Sequence, residues 1–315
     1  MKLDWDTLID INTQNVILHK KNLDCPARVT IGLPTYRRSL LIRRALASLA
    51  SQSYRNFVLI ISDNNGIDDE TISAVKEFAD VLPEFLLVAQ VNNIGALENL
   101  KFLLASAKTE YFMWLADDDE ISADYIQELI VLLDKDASIT TAMGSWIAMV
   151  APCSGQKRQQ MRPVERSRLL RLFRFITGPS DDSAFYGLHR TDCLRRTSFS
   201  DYLPPNRGVL SNFCYVILFD MLLQGRFEYG RNAEWICHNY SEKDYNSALA
   251  RGLFDRLRTL LRRINLYLIY IAHTVLKMPI LLLPILLASL LGVGRDIVSA
   301  SLRLTIRRLG FNNQA

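Results

Sequence analysis

Cysteine is scarce in this chain and is not arranged as a framework. The five residues Cys25, Cys153, Cys193, Cys214 and Cys237 are scattered through 315 positions, and none forms a C-x-x-C pair. An odd number cannot all pair internally, so the pattern argues against a disulfide scaffold and for a reduced compartment. A concentrated basic arm with interleaved aromatics is also missing. The net charge of +4 and pI near 8.8 are mild, and nucleic acid is therefore not an expected partner. The opening stretch MKLDWDTLIDINTQ carries acids where a secretion signal needs a basic start and an apolar core, so no such signal is expected. Repeats and low-complexity tracts are absent as well. The chain does have bulk and apolarity: 49% of its residues are hydrophobic, enough for one large domain with appendages or for two small ones.

The first half alternates two kinds of segment. Apolar, β-branched runs at Arg28–Leu33, Phe57–Ile61, Phe85–Ala89 and Tyr111–Leu115 read as strands. Between and after them, Ser39–Ala50, Asp69–Ala79, Ala96–Ala107 and Ser122–Asp134 carry apolar residues at helical spacing, the last opened by a serine N-cap. Continuous apolar strands alternating with amphipathic helices predict βαβ crossovers and a largely parallel sheet covered on both faces. Each strand is followed by a polar cluster: Pro34–Arg37, Asp63–Gly66, Asn92–Gly95 and Asp117–Asp119. Loops are polar in general, but in an open α/β sheet the carboxyl ends of the strands form the ligand crevice. Four clusters at four strand ends would converge there.

From about residue 151 the pattern loosens. A basic stretch runs from Lys157 to Arg174, and a Gly-Pro loop leads to Asp181 and Asp182. Leu266–Val293 is then almost wholly apolar, interrupted by His273, Lys277, Pro279 and Pro284 and flanked by arginines on both sides. Its length suffices for a bilayer, but basic residues favour the cytoplasmic side. A re-entrant or interfacial hairpin bent near the prolines accounts for both flanks. Packing within a homo-oligomer is the alternative.

Three adjacent acids at a strand end repel one another unless solvated or neutralised. Asp117, Asp118 and Asp119 could cap a helix as an acidic turn. They could equally offer hard oxygen ligands to Mg²⁺ or Mn²⁺ with positions left open for phosphate, where a cation would stabilise a departing diphosphate.

The ordered set Pro34-Thr35-Tyr36-Arg37, Ser62-Asp63-Asn64-Asn65, Asn92-Asn93-Ile94-Gly95 with Asn99, and Phe112–Leu115 running into Asp117-Asp118-Asp119 resembles the family 2 glycosyltransferases, which have the GT-A fold. The resemblance covers about residues 28–150. It implies that Pro34, Thr35, Tyr36 and Arg37 lie around the nucleotide base, that Asp63 bonds the base or ribose, and that Asn93 and Gly95 lie near the nucleotide. It implies Asp117 toward the ribose and Asp118 or Asp119 on a divalent metal, although many members have an acid where this chain has Ala116. Such enzymes usually invert the sugar and use a carboxylate as base on the acceptor hydroxyl. Phe185–Arg190 and the helix ending in Gly225-Arg226-Phe227 are similar to acceptor-side segments of one bacterial branch. The position where relatives often carry the base reads Asn212-Phe213-Cys214, so Asp182 and Asp220 become the candidates, each weighed against a surface or capping acid. His238 could be a third metal ligand or a diphosphate contact, against an ordinary structural histidine. Arg166–Arg174 could meet a diphosphate, against a solvated helix face.

The expectation is an α/β protein with a GT-A Rossmann-like, mostly parallel sheet flanked by helices. The catalytic domain would span 1–250, with a nucleotide-sugar half at about 28–150 and an acceptor half at about 151–250, and a helical membrane-associating region would follow at 251–315. The expected activity is inverting transfer from a nucleotide-diphosphate sugar, with Mn²⁺ or Mg²⁺, to a saccharide on a polyprenyl-type lipid, in cell-surface polysaccharide synthesis at the cytoplasmic face of the inner or plasma membrane. The rivals are a degenerate GT-A module that binds nucleotide sugar or scaffolds a membrane complex, and a sugar nucleotidyltransferase. The nucleotidyltransferase usually needs a Gly-rich basic first loop, which Pro34–Arg37 is not.

Overall fold

The computed structural model describes residues 16–20, 26–66, 68–150, 154–157, 160, 162–178, 181–197, 213–238 and 253–308. Cys25, Cys153, Asn212, Asn239 and the stretch before Val16 lie outside them. The first half runs β1 (Val16–Lys20), β2 (Val29–Thr35), α1 (Ser39–Ala50), β3 (Phe57–Asp63), α2 (Asp69–Phe78), β4 (Phe85–Ala89), α3 (Ala96–Ser106) and β5 (Tyr111–Trp114). It continues through β6 (Asp119–Ile121), α4 (Tyr125–Lys135), β7 (Ile139–Val150) and β8 (Ser154–Lys157). The second half holds α5 (Arg168–Thr177), a 3₁₀ turn at Ser183–Tyr186, β9 (Leu188–Arg190), α6 (Thr191–Arg195), α7 (Phe213–Gln224) and β10 (Arg226–Cys237). A helical hairpin ends it: α8 (Leu253–Lys277), a 3₁₀ turn at Pro279–Leu281, and α9 (Leu282–Arg308).

All strands join one ten-stranded sheet in the order β1-β4-β3-β2-β5-β9-β7-β10-β6, with β8 beside β7. The four strands read from the sequence form its parallel part, β4-β3-β2-β5. Every residue of β3 is buried, as a parallel strand covered on both faces requires. The sheet as a whole is mixed rather than mostly parallel. Short β9 runs antiparallel to both β5 and β7, and β7 and β10 are parallel to each other. The long strands β7 and β10 are not apparent from the apolar pattern alone.

The crevice opens because two strands end at different heights. β2 pairs with β3 to its last residue, Thr35 with Asp63, but with β5 only as far as Gly32 and Trp114. The Gly32 carbonyl accepts from Leu115 N–H on the β5 side, and the Thr35 carbonyl accepts from Asn64 N–H on the β3 side. Alternation therefore turns Pro34 toward the side that β5 has left. A residue without an N–H loses no ladder bond there.

Beyond β5 the chain crosses to the far edge of the sheet, where β6 pairs antiparallel with β10 and Asp119 stands opposite Cys237. β10 reaches that partner through a bulge. Its register against β7 jumps between Tyr229 and Glu234, and Glu128 of α4 accepts the backbone N–H groups of Arg231 and Asn232 at 2.5 and 3.2 Å. Such an insertion bends the strand and re-aims the residues after it.

The helix starting near Ser122 corrects the sequence reading. It begins at Tyr125, with Asp124 at the cap position and no side-chain cap bond. The Ser122 hydroxyl instead accepts from Glu234 N–H at 3.0 Å, so it ties β6 to β10.

Candidate active site

The acidic turn touches both ends of this arrangement. At one end Thr35 Oγ1 donates to Asp117 Oδ2 at 2.8 Å. Arg38 lies 3.1 Å from both Asp117 Oδ1 and Asp118 Oδ2. At the other end Trp235 Nε1 donates to Asp119 Oδ2 at 3.1 Å. Asp117 and Asp119 are buried, and burial raises both carboxyls above the usual range, Asp119 to about 7 with the Asp118 charge adding to the shift. Arg38 opposes the shift at Asp117. Negative charge in this turn is thus only partly balanced.

The β2–β4 side is a hydrogen-bonded shelf. Asn64 Nδ2 donates to Asn93 Oδ1 at 2.9 Å, and Asn64 Oδ1 accepts from Ile94 N–H at 2.9 Å. Asn93 Oδ1 also accepts from Gly95 N–H at 2.9 Å. Gly95 has φ of 86° at the start of α3, a left-handed conformation that glycine adopts without a Cβ clash. Beneath, Ser62 Oγ donates to Asn99 Oδ1 at 2.6 Å. Asp63 is buried, with Oδ1 accepting from Asn65 N–H at 2.9 Å. Among the described residues no group reaches its Oδ2 with full hydrogen-bond geometry, and burial raises this carboxyl. At the rim, Arg37 has φ of 55°. It is held there by Nε to Asn65 Oδ1 at 2.9 Å and by stacking over Tyr36 at 5.1 Å.

The β10 side is aromatic. The Trp235 ring stacks on Tyr186 at 4.8 Å and on Trp146 at 5.8 Å. Tyr186 ends the 3₁₀ turn that follows Asp181 and Asp182. Burial pushes the Tyr186 hydroxyl far up, and the charges of Asp119, Asp182 and Asp118 push in the same direction. Asp182 itself is pushed up to about 6 by burial and by Asp181. His189 fixes this turn from below. Its Nε2–H donates to the Phe185 carbonyl at 3.0 Å, which leaves Nδ1 to accept from Thr141 at 3.0 Å. Fully buried, it is driven down to about 4 and stays neutral.

The structure thus gathers Thr35, Arg38, Asp117, Asp118, Asp119, Trp235 and Tyr186 around one crevice, with Pro34, Tyr36, Arg37, Asp63, Asn93 and Gly95 along its β2–β4 edge and Asp182 at the start of the turn that carries Tyr186. Asp220 lies away from this crevice, whereas His238 follows Cys237, the ladder partner of Asp119. Asp220 is fully buried in α7 and spends both oxygens on α8, on His273 Nδ1 at 2.8 Å and Lys277 Nζ at 2.6 Å. Those bonds make it a structural acid. His238 Nε2 lies 2.7 Å from Glu120 Oε1, which Arg44 Nε also approaches at 3.2 Å. Within Arg166–Arg174, Arg171 is buried, with Nε on the Leu222 carbonyl at 2.8 Å, and is not a diphosphate contact. Sequence reading missed Arg38, one residue past the quoted loop, and Trp235, just before Ile236–His238. Neither stands out without knowing what it touches.

Hard carboxylate donors with uncompensated charge suit a divalent cation. Among the described residues, no three His, Cys, Asp or Glu side chains are already gathered to enclose one. The residues present fit a cation held by Asp118 and Asp119, with its remaining positions left to a ligand.

Comparisons with known proteins agree with this geometry. A 26% identical relative, an uncharacterized glycosyltransferase of Haemophilus influenzae, matches over 127 residues, 40% of this chain and 38% of that protein. The GalNAc(5)-diNAcBac-PP-undecaprenol beta-1,3-glucosyltransferase of Campylobacter jejuni is 27% identical over 105 residues, 33% of each chain. The aligned part is well under half the length of these relatives. Among solved structures, S. aureus TarS 1-349 in complex with UDP superposes with a TM-score of 0.57 at 14% identity, covering 91% of this chain and 93% of that one. The mannosyltransferase PcManGT from Pyrobaculum calidifontis, in complex with GDP-Man and Mn²⁺, gives 0.54 at 16% identity, over 93% and 80%. These likenesses establish the GT-A fold. The family model for glycosyl transferase family 2 matches residues 30–203, more than half of the chain, and the chain belongs to that family.

Proposed function

We propose that the protein is an inverting glycosyltransferase that moves a sugar from a nucleotide-diphosphate donor to a saccharide carried on a polyprenyl-type lipid at the cytoplasmic face of a membrane. The observation that carries this reading is that Asp182 opens the 3₁₀ turn whose Tyr186 stacks on Trp235, the ring that donates to Asp119. The base and the leaving-group site would then flank one space. The donor would lie along β2–β5. Asp63 would accept a hydrogen bond from the base or ribose, Asp117 would face the ribose, and the Asn93–Gly95 shelf would line the nucleotide. Asp182 would take the proton of the acceptor hydroxyl as that oxygen bonds to the anomeric carbon. The bond from that carbon to the diphosphate breaks, and the electron pair leaves with the nucleoside diphosphate. A carboxyl near 6 is mostly ionised at neutral pH yet basic enough to serve. Bound at Asp118 and Asp119, Mn²⁺ or Mg²⁺ would supply charge neutralisation to the diphosphate.

The lipid-linked acceptor is supported by the name of the Campylobacter relative and by Pro279–Ile297, a stretch long and apolar enough to cross a membrane. A uridine donor is favoured by neighbours solved with UDP and UDP-GlcNAc. Calorimetric titration of UDP, with and without Mn²⁺, tests the donor site. The parent should bind more tightly with the cation, and Asp118→Asn with Asp119→Asn should lose that dependence while remaining folded. Equal Mn²⁺ enhancement in the double variant would sink the metal assignment.

A further inference from the structure

Helix α5 belongs to the catalytic domain, yet it lies along the apolar hairpin. At its start Arg168 Nη1 is 3.0 Å from Met278 Sδ, at the bend. At its end Arg295 Nη1 bonds the Thr177 carbonyl at 2.9 Å and also the Gly178 carbonyl. α5 and α9 therefore run side by side in the same direction, from the bend to Arg295. Each buries one face. α5 buries Arg171, Leu172, Phe175 and Ile176. α9 buries Ile285, Ala288 and Ser289. At Gly292 a Cβ would stand 2.8 Å from the Tyr267 ring, so α9 also sits tightly on α8.

The opposite faces are apolar and uncovered. On α9 and the bend, Ile280, Leu283, Leu287, Leu290 and Leu291 recur at helical spacing, with exposures from 53% to 86%. On α5, Leu169, Leu170 and Phe173 are 43% to 52% exposed. Only 28% of the Pro279–Ile297 window is buried, at a mean hydropathy of 1.9. A core helix would be mostly covered, and patches of this size on a soluble surface mark an interaction site.

Charge selects the occupant. Arg166 and Arg174 are exposed at the rim, Arg174 with Glu165 beside it, while Lys277 is turned inward onto Asp220. α5 contains no acid, and neither does α9 before Asp296, whose Oδ2 is already bonded by Tyr267 at 2.9 Å. A basic rim around an apolar face complements anionic headgroups over acyl chains. A second copy of the same face would set like charges together.

The packing also selects the orientation. α8 is fixed to the catalytic domain by Tyr270, stacked on Phe219 at 4.4 Å, and by the His273 and Lys277 bonds to Asp220. For α9 to cross a bilayer it would have to leave α5 and α8 and break the Arg295 and Asp296 bonds. We propose that α5 and the 279–297 segment form one membrane-bedding face, with α9 in the plane of an anionic bilayer. α5 contributes directly, five residues before Asp182, so the face that meets lipid is coupled to the acceptor side of the crevice. This rests on the membrane-side reading above and narrows it to a monotopic contact shared with the catalytic domain.

The test uses full-length protein and co-sedimentation with phosphatidylcholine vesicles, with or without phosphatidylglycerol. The parent should bind the anionic vesicles. The triple change Leu169→Ser, Leu170→Ser, Phe173→Ser should weaken binding at least about tenfold, as loss of several inserted apolar side chains does, and so should Leu283→Ser, Leu287→Ser, Leu290→Ser. All these side chains are exposed, so circular dichroism should be unchanged. Sugar transfer to a water-soluble acceptor, measured on the same samples, reports the transferase reading separately. Parent-like binding by the α5 variant, with loss in the α9 variant, would overturn the α5 contact and leave the membrane reading standing. A parent that ignores both vesicles and sediments as a dimer would overturn both. Orientation is read from Leu287→Trp: its added fluorescence should be quenched best by lipids brominated near the headgroup. Stronger quenching by bromines at the chain terminus would mean that α9 crosses.

Discussion

The two sides of the crevice are built in opposite ways. On the donor side polar groups satisfy one another: Asn64 with Asn93 and Ile94, Ser62 with Asn99, Thr35 with Asp117. The acceptor side instead holds carboxyls whose ionisation burial disfavours, Asp119 raised to about 7 and Asp182 to about 6, among stacked aromatic rings. A satisfied polar network resists rearrangement and fixes a shape. Buried, uncompensated carboxyls are instead poised for a proton or a cation. Donor binding should therefore respond to the shelf, and turnover to the acids.

The strongest way to break this division is at Asp182. Asp182→Asn should lower transfer by roughly 10²–10⁴-fold, the usual contribution of a positioned base, with UDP affinity unchanged by calorimetry. The parent's pH–rate profile should show an acid limb with its midpoint near 6, the raised Asp182 value. The sign follows from the role: the base must be unprotonated, so the rate falls as pH drops through that value. An unaltered rate in the variant, or a loss confined to UDP affinity, would undo the assignment.

Asp220 sharpens the comparison from outside it. This acid is also buried, but both oxygens are paired. Removing one member of such a set leaves buried groups uncompensated, so Asp220→Asn should cost about 3 kcal/mol of stability. The check is denaturant unfolding alongside turnover at a temperature where the variant is folded. A lower kcat there, without the stability loss, would return Asp220 to the catalytic candidates.

A smaller effect is expected on the donor side. Asn64→Ala leaves the Ile94 N–H without its side-chain acceptor and frees Asn93 to turn. Losing a buried bond of this kind costs roughly 1–3 kcal/mol. It should appear as weaker UDP binding and a lower Tm, with turnover at saturating donor near the parent's. A large fall in kcat would show that the shelf is not separate from the chemistry.

Sequence legibility follows the same division. The four parallel strands and the polar clusters at their ends were readable because each cluster lies within a few positions of the apolar run that places it. Asp63 and Asn93 needed only the strand ends before them. Trp235 reaches Asp119 through a bulge held by Glu128, more than a hundred positions earlier in the chain. No local pattern encodes that approach. Asp182 was found as an acid beside a Gly-Pro loop, but its separation from Asp220 depends on what α8 covers. The serine at 122 fitted an N-cap pattern and instead binds Glu234, because a tertiary partner outcompeted the helix. The hairpin's bend was legible from Pro279, whereas the uncovered face of α5 was hidden within a basic stretch.

The smallest change expected in stability lies where the two sides meet. Arg38 is half exposed, and its guanidinium bridges Asp117 and Asp118 at 3.1 Å each. Exposed pairs of this kind contribute about 0–1 kcal/mol, so Arg38→Ala should unfold within roughly that margin of the parent. Its ligand effects should be larger and opposite in sign. Without nucleotide, Arg38 sits as a fixed positive charge against the same carboxylates that a divalent cation would use. Removing it deepens the negative potential at Asp118, and Mn²⁺ should bind the free variant more tightly. With UDP present, the diphosphate brings its own negative charge and gives the guanidinium a second anion within reach, so the variant should hold UDP more weakly. Calorimetry of Mn²⁺ alone and of UDP with saturating Mn²⁺ reads the two terms separately. Weaker Mn²⁺ binding in the free variant would mean that Arg38 organises the acidic turn rather than competing for it.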